Sequence, residues 1–211
     1  MPQSATDIHK ELRTYRRDEC VVFHTTRDRF GGLSNMAAGF PLQVNGIRFR
    51  TSETLYQVCR FPLRPDVQQY IIDEPSPMIA KRKTKPYRDE TRPDWDSVRH
   101  KIMRWSLRVK LAQHYADFGE LLLSTGEEHI VEQSSKDDFW GAFAKPDGIL
   151  VGQNVLGRLL MELRERLRSD KNQSLKVVEP LALTDFLLLG NTIKTVDATT
   201  DPLEPQQNRL L

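Results

Sequence analysis

The stretch FPLQVNGIRFRTSETLYQVCRFP, running from Phe40 to Pro62, sets a β-hairpin directly before a helix. Asn45-Gly46 is the strongest short turn signal in the chain, since both residues tolerate positive φ. Leu42 and Val44 flank it on one side, Ile47 and Phe49 on the other, as strand formers. Thr51 and Ser52 then offer hydroxyls that can cap a helix, predicted to run through about Phe61, where Pro62 stops it.

Outward from this stretch, helical spacing dominates. Val98, Ile102, Trp105, Val109 and Ala112 form one face of a helix predicted at about 96–118, with a shorter helix near 119–124. A final long helix begins after Asn154, with Val155, Leu156, Leu159, Leu160, Leu163 and Leu167 as its buried stripe. Glu162 and Arg166 pair at i, i+4 on its other side. Towards the N-terminus, Cys20-Val21-Val22-Phe23 suits a strand and leads into the glycine turn Phe30–Asn35. Residues 1–17 are polar and suit a short helix or a loose arm. Beyond Ser169 the pattern weakens around Pro180, Gly190, Pro202 and Pro205; an extension that partly packs back through Leu181 to Leu189 is expected, with its final ten or so residues expected to be mobile. The expected class is mainly α within an α+β fold: a helical domain with a small N-terminal β-hairpin. An N-terminal arm (1–19), a main domain (20–168) and a C-terminal extension (169–211) divide it.

Composition excludes several classes. With 38% hydrophobic and 28% charged residues, the chain has the balance of a globular protein rather than a disordered or membrane one. No run approaches the roughly 18 apolar residues of a membrane helix, and the polar start has no signal-peptide core, so a cytoplasmic protein without a membrane partner is expected. Cys20 and Cys59 sit in no CxxC, and the histidines form no close pair with metal-ligand spacing; both cysteines read as reduced thiols. There is no P-loop and no GxGxxG. Neither metal nor cofactor is expected. The net charge of +2 says little, but Lys81–Arg88 concentrates cations, either as a solvated loop or as a contact for phosphates.

A few residues carry chemistry. Glu53, Gln57 and Arg60 fall at i, i+4 and i+7, presenting a carboxylate, an amide and a cation on one helix face; the plain alternative is a solvent face with Glu53 suiting the helix dipole. Asp137 and Trp140 of DDFWG read either as a turn cap and a core aromatic, or as a carboxylate and a stacking surface, with Asp138 as substitute. Asn154 can cap the last helix or mark N–H groups open to an anion. Ser34 and Asn35 suit a turn or a nucleotide contact. Lys110 sits among charged residues, where solvation or salt bridging is expected, although an amine can attack an anomeric carbon. Lys81 and Lys85 suit phosphates better.

Three segments together resemble the NADAR (YbiA-like) family. The first is Gly32-Leu33-Ser34-Asn35 followed by Thr51–Gln57 and Arg60-Phe61. The second comprises Trp95, Met103, Lys110-Leu111, Leu121-Leu122 and Thr125-Gly126. The third is Glu132–Gly141 with Gly152–Gly157 and Leu160–Arg164. The resemblance implies a YbiA-like fold and ADP-ribose or NAD chemistry. Some members act as N-glycosidases of phosphorylated riboflavin intermediates; others accompany DarT-type toxins and remove ADP-ribose from guanine in DNA. Gly31–Met36, Cys59–Pro62, Ser76-Pro77-Met78, Ala80-Lys81 and Trp140-Gly141-Ala142 resemble the second branch. Two departures stand out: Arg60 where many relatives have Lys, and Ala142-Phe143-Ala144 after the WG.

The resemblance gives Glu53 and Asp137 catalytic roles, and substrate contacts to Ser34, Asn35, Gln57, Arg60, Trp140, Gly141 and Asn154; the basic run adds Lys85 as an expected phosphate contact. The implied function is an ADP-ribosyl hydrolase on guanine in single-stranded DNA, releasing ADP-ribose as antitoxin to a DarT-type toxin. The alternatives are a glycosidase of riboflavin intermediates and a non-catalytic ADP-ribose or NAD reader.

Overall fold

The computed structural model describes residues 11–201 and 203. The first ten residues of the expected arm, with residues 202 and 204–211 of the expected mobile tip, lie outside the described residues. In chain order the elements are β1 (Arg13–Arg16), β2 (Cys20–Phe23), β3 (Leu42–Val44), β4 (Ile47–Phe49), α1 (Ser52–Val58), α2 (Pro65–Ile72), α3 (Pro77–Lys83) and α4 (Trp95–Gln113). There follow α5 (Asp117–Leu123), β5 (His129–Glu132), β6 (Phe143–Ala144), β7 (Ile149–Gly152), α6 (Val155–Ser169), β8 (Val177–Val178), β9 (Leu187–Leu188), β10 (Asn191–Thr192) and β11 (Val196–Asp197).

This corrects the expected mainly-α class. The fold is α+β, with strands along the whole described chain rather than one hairpin near its start. Each strand is only two to four residues long, too short for period-two alternation to stand out, and β1, β2, β5 and β7 find partners remote in sequence.

The chain divides into two compact units, Met1–Gly39 with Ala116–Lys171, and Phe40–Tyr115 with Asn172–Leu211. In the first, β2 lies parallel to β5 in the register Cys20↔His129 to Phe23↔Glu132, while β1, β7 and β6 form an antiparallel sheet. The α6 stripe anticipated from Val155 to Leu167 is buried, each leucine contributing roughly 1.5–3 kcal/mol. Helix α6 approaches β5 closely because Gly157 has no Cβ: one built there would stand 2.0 Å from the Ile130 carbonyl oxygen. Buried Arg164 donates to the Thr125 hydroxyl and the Glu128 carbonyl, both at 2.8 Å, fixing the approach to β5.

In the second unit, Asn45 and Gly46 turn the β3–β4 hairpin with φ of 53° and 76°. The expected face of α4 is buried, but the helix stops at Gln113 instead of continuing to 118. Gln113 exchanges hydrogen bonds with the backbone of Gln43 (2.9 and 2.8 Å), and His114 Nε2 lies 2.6 Å from the Pro41 carbonyl, so the helix end is tied to the hairpin. Residues 177–197 complete this unit. Phe186 packs edge-on against Trp105 at 5.1 Å, whose indole N–H donates to Glu179 O. Buried Gln68 donates to Val58 O and Leu187 O and accepts from Leu189 N.

Candidate active site

Helix α1 positions the carboxylate singled out in the sequence. The Thr51 hydroxyl caps it by accepting from Thr54 N at 3.2 Å, and all seven of its residues are buried, which rules out the solvent-face reading. Glu53 is 2% exposed. Gln57 Nε2 donates to Glu53 Oε1 at 2.8 Å, while Gln57 Oε1 is buried without a partner among the described residues. An ionised carboxylate is costly to bury unless it is hydrogen-bonded. The Gln57 amide supplies such a bond, and its own carbonyl oxygen keeps acceptor capacity for a donor on a ligand.

Arg60 does not share that face. The helix was expected to reach Phe61, but α1 ends at Val58, and Arg60 N and Phe61 N bond back to Gln57 O and Val58 O in a closing turn. Half-buried Arg60 donates from Nε to the Thr91 hydroxyl at 2.8 Å, and its guanidinium lies 5.5 Å from the rings of Phe61 and Trp95. Burial lowers its pKa. Lys85 is exposed in a short 3-10 helix, Lys85–Glu90, with no partner among the described residues. Its neighbours Lys81, Arg82 and Arg88 are exposed too, whereas Lys83 pairs with Glu74 at 3.0 Å.

The remaining predicted residues belong to the first unit. Asp137 Oδ1 accepts from Phe139 N (3.1 Å) and Trp140 N (2.9 Å), and Asp137 N donates to the Ser134 hydroxyl. Asp137 thus fixes the turn that presents Trp140, and its second oxygen has no protein partner among the described residues. Trp140 is half-buried, edge-on to Phe139 at 4.9 Å. Gly141 packs so tightly that a Cβ would come within 2.5 Å of Glu132 O.

Fully buried Asn154 adopts a left-handed conformation (φ 49°) and makes no side-chain cap. Its amide instead donates to Ile130 O at 2.8 Å and accepts from Glu132 N at 3.2 Å, splinting β5. The N–H groups of Asn154, Val155 and Leu156 bond to the carbonyls of Gly141, Phe139 and Trp140, so the start of α6 does not offer them to an anion. Ser34 and Asn35 are buried at the end of the glycine turn, where the Ser34 hydroxyl accepts from Met36 N.

The NADAR domain matches residues 22–168. This chain belongs to the NADAR family. It is 38% identical over 162 residues to N-glycosidase YbiA of Escherichia coli (strain K12), a match covering 77% of this chain and 97% of that protein. It is 31% identical over 162 residues to riboflavin biosynthesis protein VVA0006 of Vibrio vulnificus, covering 75% of this chain but only 41% of that protein. The NMR structure of E. coli YbiA superposes with a TM-score of 0.63 at 36% identity, covering 81% of this chain and 95% of that one.

A further residue of this NADAR chain departs from its sequence reading. Lys110, expected on a charged solvated face, is fully buried on α4. Its Nζ lies 4.7 Å from the centre of the Phe40 ring, and burial lowers its pKa to about 7. Arg104 and Arg108 obscured the signal, which was still present: Met103 and Ser106 precede Lys110 by seven and four residues and are buried on the same helix face. Among the described residues no group of three or more His, Cys, Asp or Glu is placed to hold a metal, and no helix is long and apolar enough to cross a membrane.

Proposed function

We propose that this NADAR chain is an N-glycosidase that removes ADP-ribose from guanine bases in DNA, and so acts as antitoxin to a DarT-type ADP-ribosyltransferase. The observation that carries the reading is the buried Glu53 carboxylate held by Gln57. As the C–N bond to the base breaks, positive charge builds at the anomeric carbon of the ribose. A carboxylate beneath that carbon stabilises the charge and accepts a proton from the attacking water. Water oxygen forms the new bond to carbon, the base leaves with the bonding electron pair, and the proton that the carboxylate took from water is passed on to the departing amine nitrogen. Gln57 keeps the carboxylate oriented. The N-glycosidase name of E. coli YbiA supports the reaction type.

DNA as carrier of the modified base is supported by the exposed Lys81, Arg82, Lys85 and Arg88, a set of cations suited to a phosphate backbone. Asp137 and the Trp140 ring are proposed to contact the ribose and a base. The experiment compares Lys81, Arg82, Lys85 and Arg88 replaced together by Gln with the wild type, on ADP-ribosylated single-stranded DNA and on a free phosphorylated nucleotide. The DNA reading expects the variant to lose activity on DNA at low salt and to depend less steeply on salt than the wild type, while keeping its activity on the nucleotide. Equal losses on both would contradict it.

A second reading, hydrolysis of phosphorylated riboflavin intermediates, is favoured by the name of the Vibrio vulnificus relative. It expects turnover of those small molecules by the wild type, no turnover of the DNA, and indifference to the four cations.

A further inference from the structure

We propose that the second unit carries an accessory pocket for a nucleobase flanking the modified guanine; the proposal rests on the DNA reading above. The pocket is a cavity of about 380 Å³ walled by Pro62, Leu63 and Pro93, with Arg92 and Asp185 supplying polar groups. Its volume lies within the roughly 300–1,000 Å³ of small-molecule sites. Neither Glu53 nor Gln57 lines it.

Arg92 makes this more than an apolar recess. Its side chain is 3% exposed. Nε and Nη2 bind the Asp94 carboxylate at 2.5 and 3.0 Å, and Nη2 also donates to Thr184 O at 2.9 Å. Nη1 is buried and has no acceptor among the described residues. A buried donor left unmet costs about 1–3 kcal/mol, so a small turn of the guanidinium that brings Nη1 to the cavity, where a ligand's acceptor can meet it, is favoured. Asp185 offers the opposite character: an exposed carboxylate with no partner among the described residues. Glu90, at the rim, is already paired with Arg64.

Charge then selects the occupant. Asp94 offsets Arg92, and Asp185 and Glu90 add negative charge, so a phosphate is disfavoured inside the cavity. A purely aliphatic ligand would leave the Arg92 donor unmet. A flat, uncharged heterocycle with both acceptors and donors on its edge meets Arg92 and Asp185, and its faces meet two proline rings and Leu63, which is 65% exposed. A nucleobase has that character. Phosphates have their counterpart next door in the chain, because Glu90 at the rim ends the 3-10 helix that carries exposed Lys85 and Arg88. The same wall reaches the predicted substrate contact, since Thr91 accepts the Arg60 bond.

The test uses two substrates, the guanine-ADP-ribosylated mononucleotide and a short single strand carrying the same group with unmodified flanks. Base stacking worth about 1–3 kcal/mol makes the wild type favour the strand in kcat/KM by roughly five- to 150-fold. Leu63→Ser and Asp185→Asn, each tolerable at an exposed position, should lower that ratio, leaving only the share owed to the exposed cations, while thermal melts stay cooperative. Equal kcat/KM for both substrates in the wild type, or an unchanged ratio in both variants, would overturn the pocket while leaving the glycosidase intact. No turnover of either substrate by the wild type would instead sink the DNA reading, and this proposal with it.

Discussion

Glu53 and Gln57 are four residues apart in the sequence and joined by one 2.8 Å hydrogen bond in the fold. That pairing was legible from helical spacing. Arg60 was not, because its place on the same face required α1 to continue past Val58. If Gln57 orients the carboxylate, Gln57→Leu should lower kcat by about tenfold or more in protein that still melts cooperatively, with a midpoint lowered by the lost buried bond, while Gln57→Glu should not restore it, since two buried carboxylates repel. Normal kcat in Gln57→Leu would show that Glu53 needs no such support.

Lys110 gives a prediction in pH at the same scale. Burial lowers its pKa from 10.5 to about 7. Below the folded value the amine is protonated in both states, and the full cost of burying its charge stands. Between about 7 and 10.5 the unfolded chain binds a proton that the folded chain does not, so this residue's contribution to stability improves as pH rises. The stability of Lys110→Met relative to wild type should therefore be greatest near pH 6 and fall on the way to pH 9.5, by about 1.4 kcal/mol per pH unit at most. Urea denaturation at the two pH values measures it, and a difference independent of pH would contradict the assignment.

Among the elements, helices were readable because α4 and α6 repeat their apolar faces over several turns. The short strands were not. Strand β5 depends on partners remote in sequence: β2 beside it, α6 against it, and Asn154 bonded to Ile130 and Glu132. The sequence placed Asn154 at the start of α6 without revealing that its amide faces the sheet. Replacing Asn154 by Ala removes its bonds to the buried Ile130 carbonyl and the half-buried Glu132 N–H, an unmet buried group costing about 1–3 kcal/mol. Gly157→Ala forces a Cβ against the Ile130 carbonyl. Both should lower the thermal midpoint far more than Thr51→Ala, which loses one helix cap worth about 1 kcal/mol. Equal midpoints for the three variants would show that α6 does not brace β5 in this way.

Over the whole molecule, each compact unit is assembled from two separated segments, an arrangement that local patterns cannot announce. In the second, the chain beyond Asn172 covers Trp105 with Phe186 and satisfies buried Gln68 through Leu187 and Leu189. Ending the chain at Lys171 removes these partners and is expected to lower the midpoint by roughly 10 °C or more, since each kcal/mol shifts it by about 2–4 °C at this size. An unchanged melt would mean that this segment only decorates its unit.

The measurement that bears most directly on the central claim is release of ADP-ribose from guanine-ADP-ribosylated single-stranded DNA by the wild type and by Glu53→Gln, both verified as folded. Release by the wild type is expected, with a rate lower by at least about a hundredfold in the variant. Equal release by both would remove Glu53 from the chemistry, and no release by either would contradict the proposed activity.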